Sequence, residues 1–269
     1  MADPVKLAEH IKDADFFELP FKTPIPIPQP FEALGLHLTK FMVLELMAAL
    51  LMLAIFIPVA WRIANGGPPR GRFCNMFEAM LLFVRDKMVR PAIGQGADRF
   101  LPLIWTLFFF ILFCNLLGLL PWAGSPTGDF AVTSTLAIIA FLIVVGAGMN
   151  KFGVVKFWIG LCPKMDMPFP FKIFLVPMIL GIEIFGLFVK HTILAVRLLA
   201  NMFAGHMVLA VIIGFTADTA ASILWYGVMP ASVLGATALS VLEILVAFIQ
   251  AYIFAFLTAL FIGMAVHQH

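Results

Sequence analysis

The sequence predicts an all-α integral membrane protein: about five spanning helices plus an amphipathic helix on the membrane surface, the last two spans long, tilted and antiparallel. Three observations predict it. First, 62% of the 269 residues are hydrophobic and 12% charged, with a mean hydropathy of +1.05. A soluble domain is near half apolar and a quarter charged. Second, the apolar residues gather in long runs separated by Gly, Pro and charged clusters. Third, the intervening loops sort by charge, some rich in Lys and Arg and others without either. The net charge of +2 is too small to imply a nucleic-acid partner. Cys74, Cys114 and Cys162 are widely spaced and form neither a metal nor a disulfide pattern, so they read as small apolar side chains.

Residues 1–40 read as an extracytoplasmic N-terminal segment and 41–269 as the membrane domain. "MADPVKLAEHIKDADFFELPFK" is mixed in charge and lacks an apolar core. It matches neither a signal peptide nor a transit peptide, so the first span directs insertion. The Pro-rich "FKTPIPIPQPF" (21–31) reads as an extended surface segment. The first span covers about 41–61, and "NGGPPRGR" (65–72) breaks the chain. Residues 73–90, "FCNMFEAMLLFVRDKMVR", mix apolar and charged positions at helical spacing, as in a helix lying on the membrane surface. A second span covers about 101–120, "PWAGSPTGD" (121–129) is a turn, and a third span covers about 131–149. Residues 150–170 read as a loop with Lys151, Lys156 and Lys164 and with Pro163, Pro168 and Pro170.

The 62–100 loop holds Arg62, Arg70, Arg72, Arg85, Lys87, Arg90 and Arg99, and the 150–172 loop is also basic. The turns at 121–130 and 215–230 have no Lys or Arg. Basic loops stay in the cytoplasm. That places the N-terminus outside and the C-terminus inside. The fourth apolar run, about 171–215, is overlong: from Ile173 to Phe215 a helix measures ~65 Å, about twice a bilayer core. "KHT" (190–192) lacks Gly, Pro and Asn, so a turn there is disfavoured against one long helix. The fifth, about 231–266, spans ~54 Å as helix. Joined by an outer turn, the two make an antiparallel hairpin.

That hairpin carries Glu183, Lys190, His191, Arg197, Asn201, His206, Glu243 and Gln250. Ionisable groups inside a membrane are costly and mark function by default. In an antiparallel pair, residues at one depth have a constant sum of residue numbers, here about 448 from the turn centre at 223–224. His206 and Glu243 fit, as do Arg197 and Gln250. By helical angle, Asn201 and Glu183 share the face of Arg197, His206 lies opposite, and Glu243 and Gln250 share one face. Arg197 keeps its charge in any protein, and at mid-membrane it costs about 2.5–3.5 kcal/mol. Gln250 is neutral, Glu183 is about 21 Å away along the helix and Glu243 about 12 Å off in depth.

Two readings of Arg197 stay open: a counter-ion supplied by another chain, or a guanidinium snorkelling to an interface or water cavity. His206 and Glu243 suit a proton relay or a structural hydrogen bond. Glu183 is either an inner relay group or an interfacial carboxylate. Lys190 and His191 read as snorkelling or loop-facing, and Glu45 as a lipid-headgroup or subunit contact.

The pattern resembles subunit a of F-type ATP synthases, the F0-sector ATPase subunit 6 family. "RLLANMFAGH" (197–206) resembles that family's Arg-Leu-x-x-Asn-x-x-Ala-Gly signature, with Glu183 fourteen residues earlier where the family has a carboxylate. "LEILVAFIQAYIF" (242–254) is similar to its final helix, with Gln250 at the polar position, and "NLLGLLP" (115–121) and "DFAVTSTLA" (129–137) resemble two further stretches. The likeness covers roughly 40–266. "KHT" departs from a Lys/Arg-Pro-Ser type sequence, Gly118 stands where some members have an acid, and His206 and Glu243 are exchanged relative to many bacterial members, as in mitochondrial relatives.

The resemblance implies a non-catalytic, proton-conducting stator subunit with no cofactor or metal, in a cell inner membrane. Its partners would be a ring of c subunits, the peripheral-stalk b subunits and lipid. It implies two half-channels: protons enter past His206 and Glu243 and leave near Glu183. Asn201 and Gln250 line the route, and Arg197 faces the ring carboxylates. Two other classes remain as alternatives. A stand-alone secondary transporter would use the Arg, His and Glu as a solute site, though no internal repeat is visible. A membrane scaffold would conduct nothing.

Overall fold

Long apolar runs have one low-energy solution in hydrocarbon, a helix that satisfies its own backbone. The computed structural model describes residues 16–18, 24–29, 37–64, 71–120, 124–161 and 169–267. Most of the N-terminal segment, the break at 65–70, the Pro- and Lys-bearing stretch 162–168 and Cys162 lie outside the described residues. A short antiparallel ribbon joins β1 (Phe16–Glu18) to β2 (Pro24–Pro26), so this part of the Pro-rich segment is extended as its φ restriction requires.

Five helices are long and apolar enough to cross a membrane. They belong to α1 (Lys40–Ala64), α4 (Leu101–Gly118), α5 (Phe130–Phe152), α7 (Phe169–Asp218) and α8 (Trp225–Val266). Between the first two stand α2 (Arg72–Phe83), a π-helical stretch Val84–Val89 and α3 (Arg90–Ile93). The wide π turn brings Val84, Met88 and Val89 to one buried side. Its charged side holds Arg90 Nη1 at 3.1 Å from Asp86 Oδ1, with Asp98 Oδ1 at 3.7 Å from Arg90 Nε and 3.9 Å from Arg85 Nε.

Three expectations change. The 150–170 stretch is not all loop: α6 (Val154–Gly160) forms there. Its anchor Phe157 is buried against Gly148, whose missing Cβ leaves room for the ring. Helix α8 begins at Trp225, before the expected 231, because it continues through Pro230. A proline inside a helix sacrifices one backbone bond, and a helix supported by neighbours tolerates that. The outer turn is correspondingly short, with α7 ending at Asp218. The single long helix through "KHT" stands, and Pro177 is accommodated inside it.

The chain divides into two compact units. One comprises Met1–Pro68, Phe108–Thr133 and Leu198–Tyr252, the other Pro69–Leu107, Ser134–Arg197 and Ile253–His269. In the first, Leu44, Ala48, Phe109, Ile111, Leu112, Ala247 and Ala251 are buried, and the rings of Phe56 and Phe109 meet at 4.5 Å. In the second, Ala255, Ala259 and Ile262 are buried. The Gly263 face there is so close to the Ala92 carbonyl that a Cβ would collide with it. Small residues every four positions let helix backbones approach closely.

Candidate functional site

In the first unit, residues 198–218 of α7 run antiparallel to the α8 residues of the same unit. Two close approaches fix the register. Gly235 faces Ile212, and Gly205 faces Glu243 so closely that the carboxylate occupies the space of a Cβ. Gly205–Glu243 has the residue-number sum of 448 expected from the turn alone. The helix rise sets depth and the turn sets the origin, so sequence arithmetic suffices here.

Beside this contact lies a cavity lined by Leu119, Asn201, Met202, His206, Glu243 and Val246, with about 10 Å³ open to a water's centre. That is about the space one water needs, and three polar side chains surround it, within the two to four partners a buried water requires. His206 Nε2 is enclosed and has no hydrogen-bond partner among the described residues. The structure thus places His206, Glu243 and Asn201 on one cavity. Helical angle had grouped Asn201 with Arg197. It nevertheless lines the same cavity as His206. An imidazole, a carboxylate and an amide around room for one water can hold and pass a proton.

A buried hydrogen-bond chain supports the cavity. Asn115 of α4 donates through Nδ2 to the Ala247 carbonyl at 3.3 Å and accepts from Thr127 Oγ1 at 2.7 Å. Ser125 Oγ stands 2.9 Å from Thr127 Oγ1. Thr127 spends its proton on Asn115, so Ser125 donates to Thr127. Ala247 is one turn beyond Glu243, so this chain sets the rotation of α8 at the carboxylate. Lys40, the first residue of α1, is 4% exposed. Its Nζ lies 5.4 Å from the Phe41 ring centroid and 3.1 Å from where a Cβ of Gly124 would be. Gly124 adopts φ 70°, a left-handed conformation that favours glycine. Lys40, Asn115 and Gly205 have no assigned role in the sequence reading. The signal was present, since Asn115 interrupts one apolar run and Lys40 borders another.

Gln250 is buried in the first unit. Arg197 and Glu183 are half-buried in the second unit. Arg197 enters no ion pair among the described residues. Lys190 is exposed, in keeping with a snorkelling side chain, whereas His191 is 3% exposed and not loop-facing. Its Nδ1 lies 2.8 Å from the Leu187 carbonyl, and its ring sits 5.3 Å from Phe141 and 5.1 Å from Phe261. A carbonyl only accepts, so Nδ1 carries the proton. The two rings cover the faces of the imidazole, and its Nε2 is buried with no hydrogen-bond partner among the described residues. Among the described residues, no three His, Cys, Asp or Glu side chains gather as a metal-binding group.

Residues 42–263 match the family model described as ATP synthase A chain. Curated relatives agree. The chain is 38% identical to the ATP synthase subunit a of Chloroherpeton thalassium, over 98% of this chain and 78% of that one. It is 39% identical to the ATP synthase subunit a of Myxococcus xanthus, over 88% and 76% respectively. The ATP synthase subunit a of Rhodopseudomonas palustris is also 39% identical, over 73% of this chain and 77% of its own.

Proposed function

The chain belongs to the ATP synthase A chain family, and from that premise we propose that it forms two proton half-channels beside a ring of carboxylate-bearing c subunits. It is a multi-pass membrane protein, a non-catalytic subunit of the F0 stator. The observation that carries the finer reading is Arg197. It is half-buried in an apolar helix, charged at any pH a protein meets, and in no ion pair among the described residues. A counter-ion from a neighbouring subunit relieves that cost.

Protons enter from the outer side at the cavity of Asn201, His206 and Glu243. They neutralise a ring carboxylate and leave near Glu183 after the ring has turned, with Gln250 on the same route. Arg197 attracts each deprotonated ring carboxylate and blocks a direct leak. Its pKa above 12 keeps it from relaying a proton, which a desolvated lysine can do. The membrane potential contributes about 2.3 kcal/mol per charge per 100 mV. The basic loops support a cytoplasmic C-terminus and an extracytoplasmic N-terminus. The likeness supports a cell inner membrane and contact with peripheral-stalk b subunits. The test is Arg197→Ala in the whole enzyme, reconstituted in vesicles. The complex assembles, and ATP-driven proton uptake falls to background. Uptake at the normal rate overturns the assignment.

A further inference from the structure

Helix α6 is anchored on one side and bare on the other. Gly153 takes φ 84°, a left-handed conformation that lets the chain leave α5 sharply. Its N–H closes α5 on the Met149 carbonyl, and its carbonyl accepts the Phe157 N–H. Phe157 then folds back on α5, its ring filling the space that a Cβ of Gly148 would take. Gly148 stands four residues before Phe152, the end of α5, so the ring lies about 6 Å back along that spanning helix. At about 100° per residue, Val155 and Ile159 form a ridge opposite Phe157, with Lys156 and Trp158 on its two flanks. A helix lying on a protein surface in water turns polar residues away from its anchor. Here the ridge is apolar, with Val155 69% and Ile159 64% exposed. Lys156 and Lys151, the latter near the end of α5, are exposed, and neither enters an ion pair among the described residues. All of these groups belong to one compact unit.

We propose that α6 is a membrane-surface helix whose partner is the lipid leaflet: Val155, Ile159 and Trp158 enter the acyl boundary, and Lys151 and Lys156 hold the phosphates of anionic phospholipids. The depth fits, since interfacial helices sink their apolar side about 5–10 Å below the headgroups. The flanks fit as well. With the ridge turned sideways into lipid, Lys156 on one flank meets the headgroups. Trp158 on the other is an amphipathic ring of the kind enriched at that level. A protein cover over the ridge would bury the neighbouring lysine, whereas a leaflet takes in the ridge and leaves the ammonium at its surface. The charge also fits. The 150–172 loop is basic, basic loops stay in the cytoplasm, and the cytoplasmic leaflet carries the anionic lipids.

The test attaches a nitrobenzoxadiazole fluorophore to Val155→Cys in the whole ATP synthase, freed of other reactive cysteines. The enzyme is reconstituted in vesicles of phosphatidylcholine and phosphatidylglycerol. The expected emission is blue-shifted, quenched by lipid with a nitroxide near the headgroup end of its acyl chain, and unaffected by iodide on both sides of the membrane. The nitroxide quenches about two to five times more strongly on phosphatidylglycerol than on phosphatidylcholine, the upper end being one lysine's attraction to an anionic surface. That preference disappears in the double variant Lys151→Gln, Lys156→Gln. Ile159→Cys lies on the same ridge and gives the same reading should the first labelled variant not assemble. A probe that iodide quenches overturns the proposal, because α6 then faces water. A probe shielded from both quenchers overturns it too, because another subunit then covers the ridge. Equal quenching by the two lipids, or a preference that survives loss of both lysines, overturns the anionic-lipid assignment.

Discussion

Glu243 owes its place to a missing atom. Gly205 has no Cβ, and the carboxylate lies where one would be. Gly205→Ala must push that side chain aside, an overpacking cost of about 1–3 kcal/mol. Proton flow through the reconstituted enzyme should fall while subunit composition on gels stays normal. Normal flow would show that the carboxylate's position is unimportant. The pair itself gives a second expectation. His206→Ala or Glu243→Gln slows proton flow and shifts its pH dependence, measured over about pH 6–9 around the ordinary histidine pKa near 6.5. Rates unchanged across that range would leave a structural pair only. At this scale the sequence was legible where depth decides and illegible where shape decides. His206 and Glu243 could be matched by counting from the turn. No count reveals that Asn201 joins them, that His191 is sandwiched between Phe141 and Phe261, or that Lys40 is buried, because each depends on side chains from distant helices.

Elements show the same division. Long apolar runs and the charge of their loops were enough to place the five spanning helices. The short α6 and the early start of α8 were missed for a common reason. The prolines that follow α6 in sequence, from Pro163 on, and Pro230 within α8 argue locally against helix, and contacts elsewhere override them: Phe157 against Gly148 for α6, a supported backbone for α8. The Ser125–Thr127–Asn115 chain ties the α4–α5 connection to the Ala247 carbonyl. Asn115→Leu removes the second donor from the Ala247 carbonyl and leaves the buried Thr127 hydroxyl without its acceptor, at about 1–3 kcal/mol. The expected outcome is a lower melting temperature of the complex in detergent together with slower proton flow. In the double variant with Thr127→Val the losses should be less than additive, since both break one chain. Full additivity would mean that the two side chains act separately.

At the scale of the whole molecule, α7 carries a permanent cation, Arg197, that enters no ion pair among the described residues. Purified in mild detergent, the chain should bring with it subunits whose masses fit small ring hairpins and stalk helices. A chain that stays monomeric and binds a small solute would favour the transporter reading. Neither partner nor orientation lies in one chain's packing: the charge of the loops points to the orientation and the family likeness to the partners. Each compact unit is assembled from three separated stretches, and both draw on α8. No single stop codon or protease cut releases either one intact. On the ribosome, therefore, neither unit is finished until the last helix has been made. A nascent chain halted before Trp225 holds two open cores at once, so a membrane protease that surveys unfinished proteins has a long window in which to act, and truncation late in the gene should lower protein abundance before it touches transport.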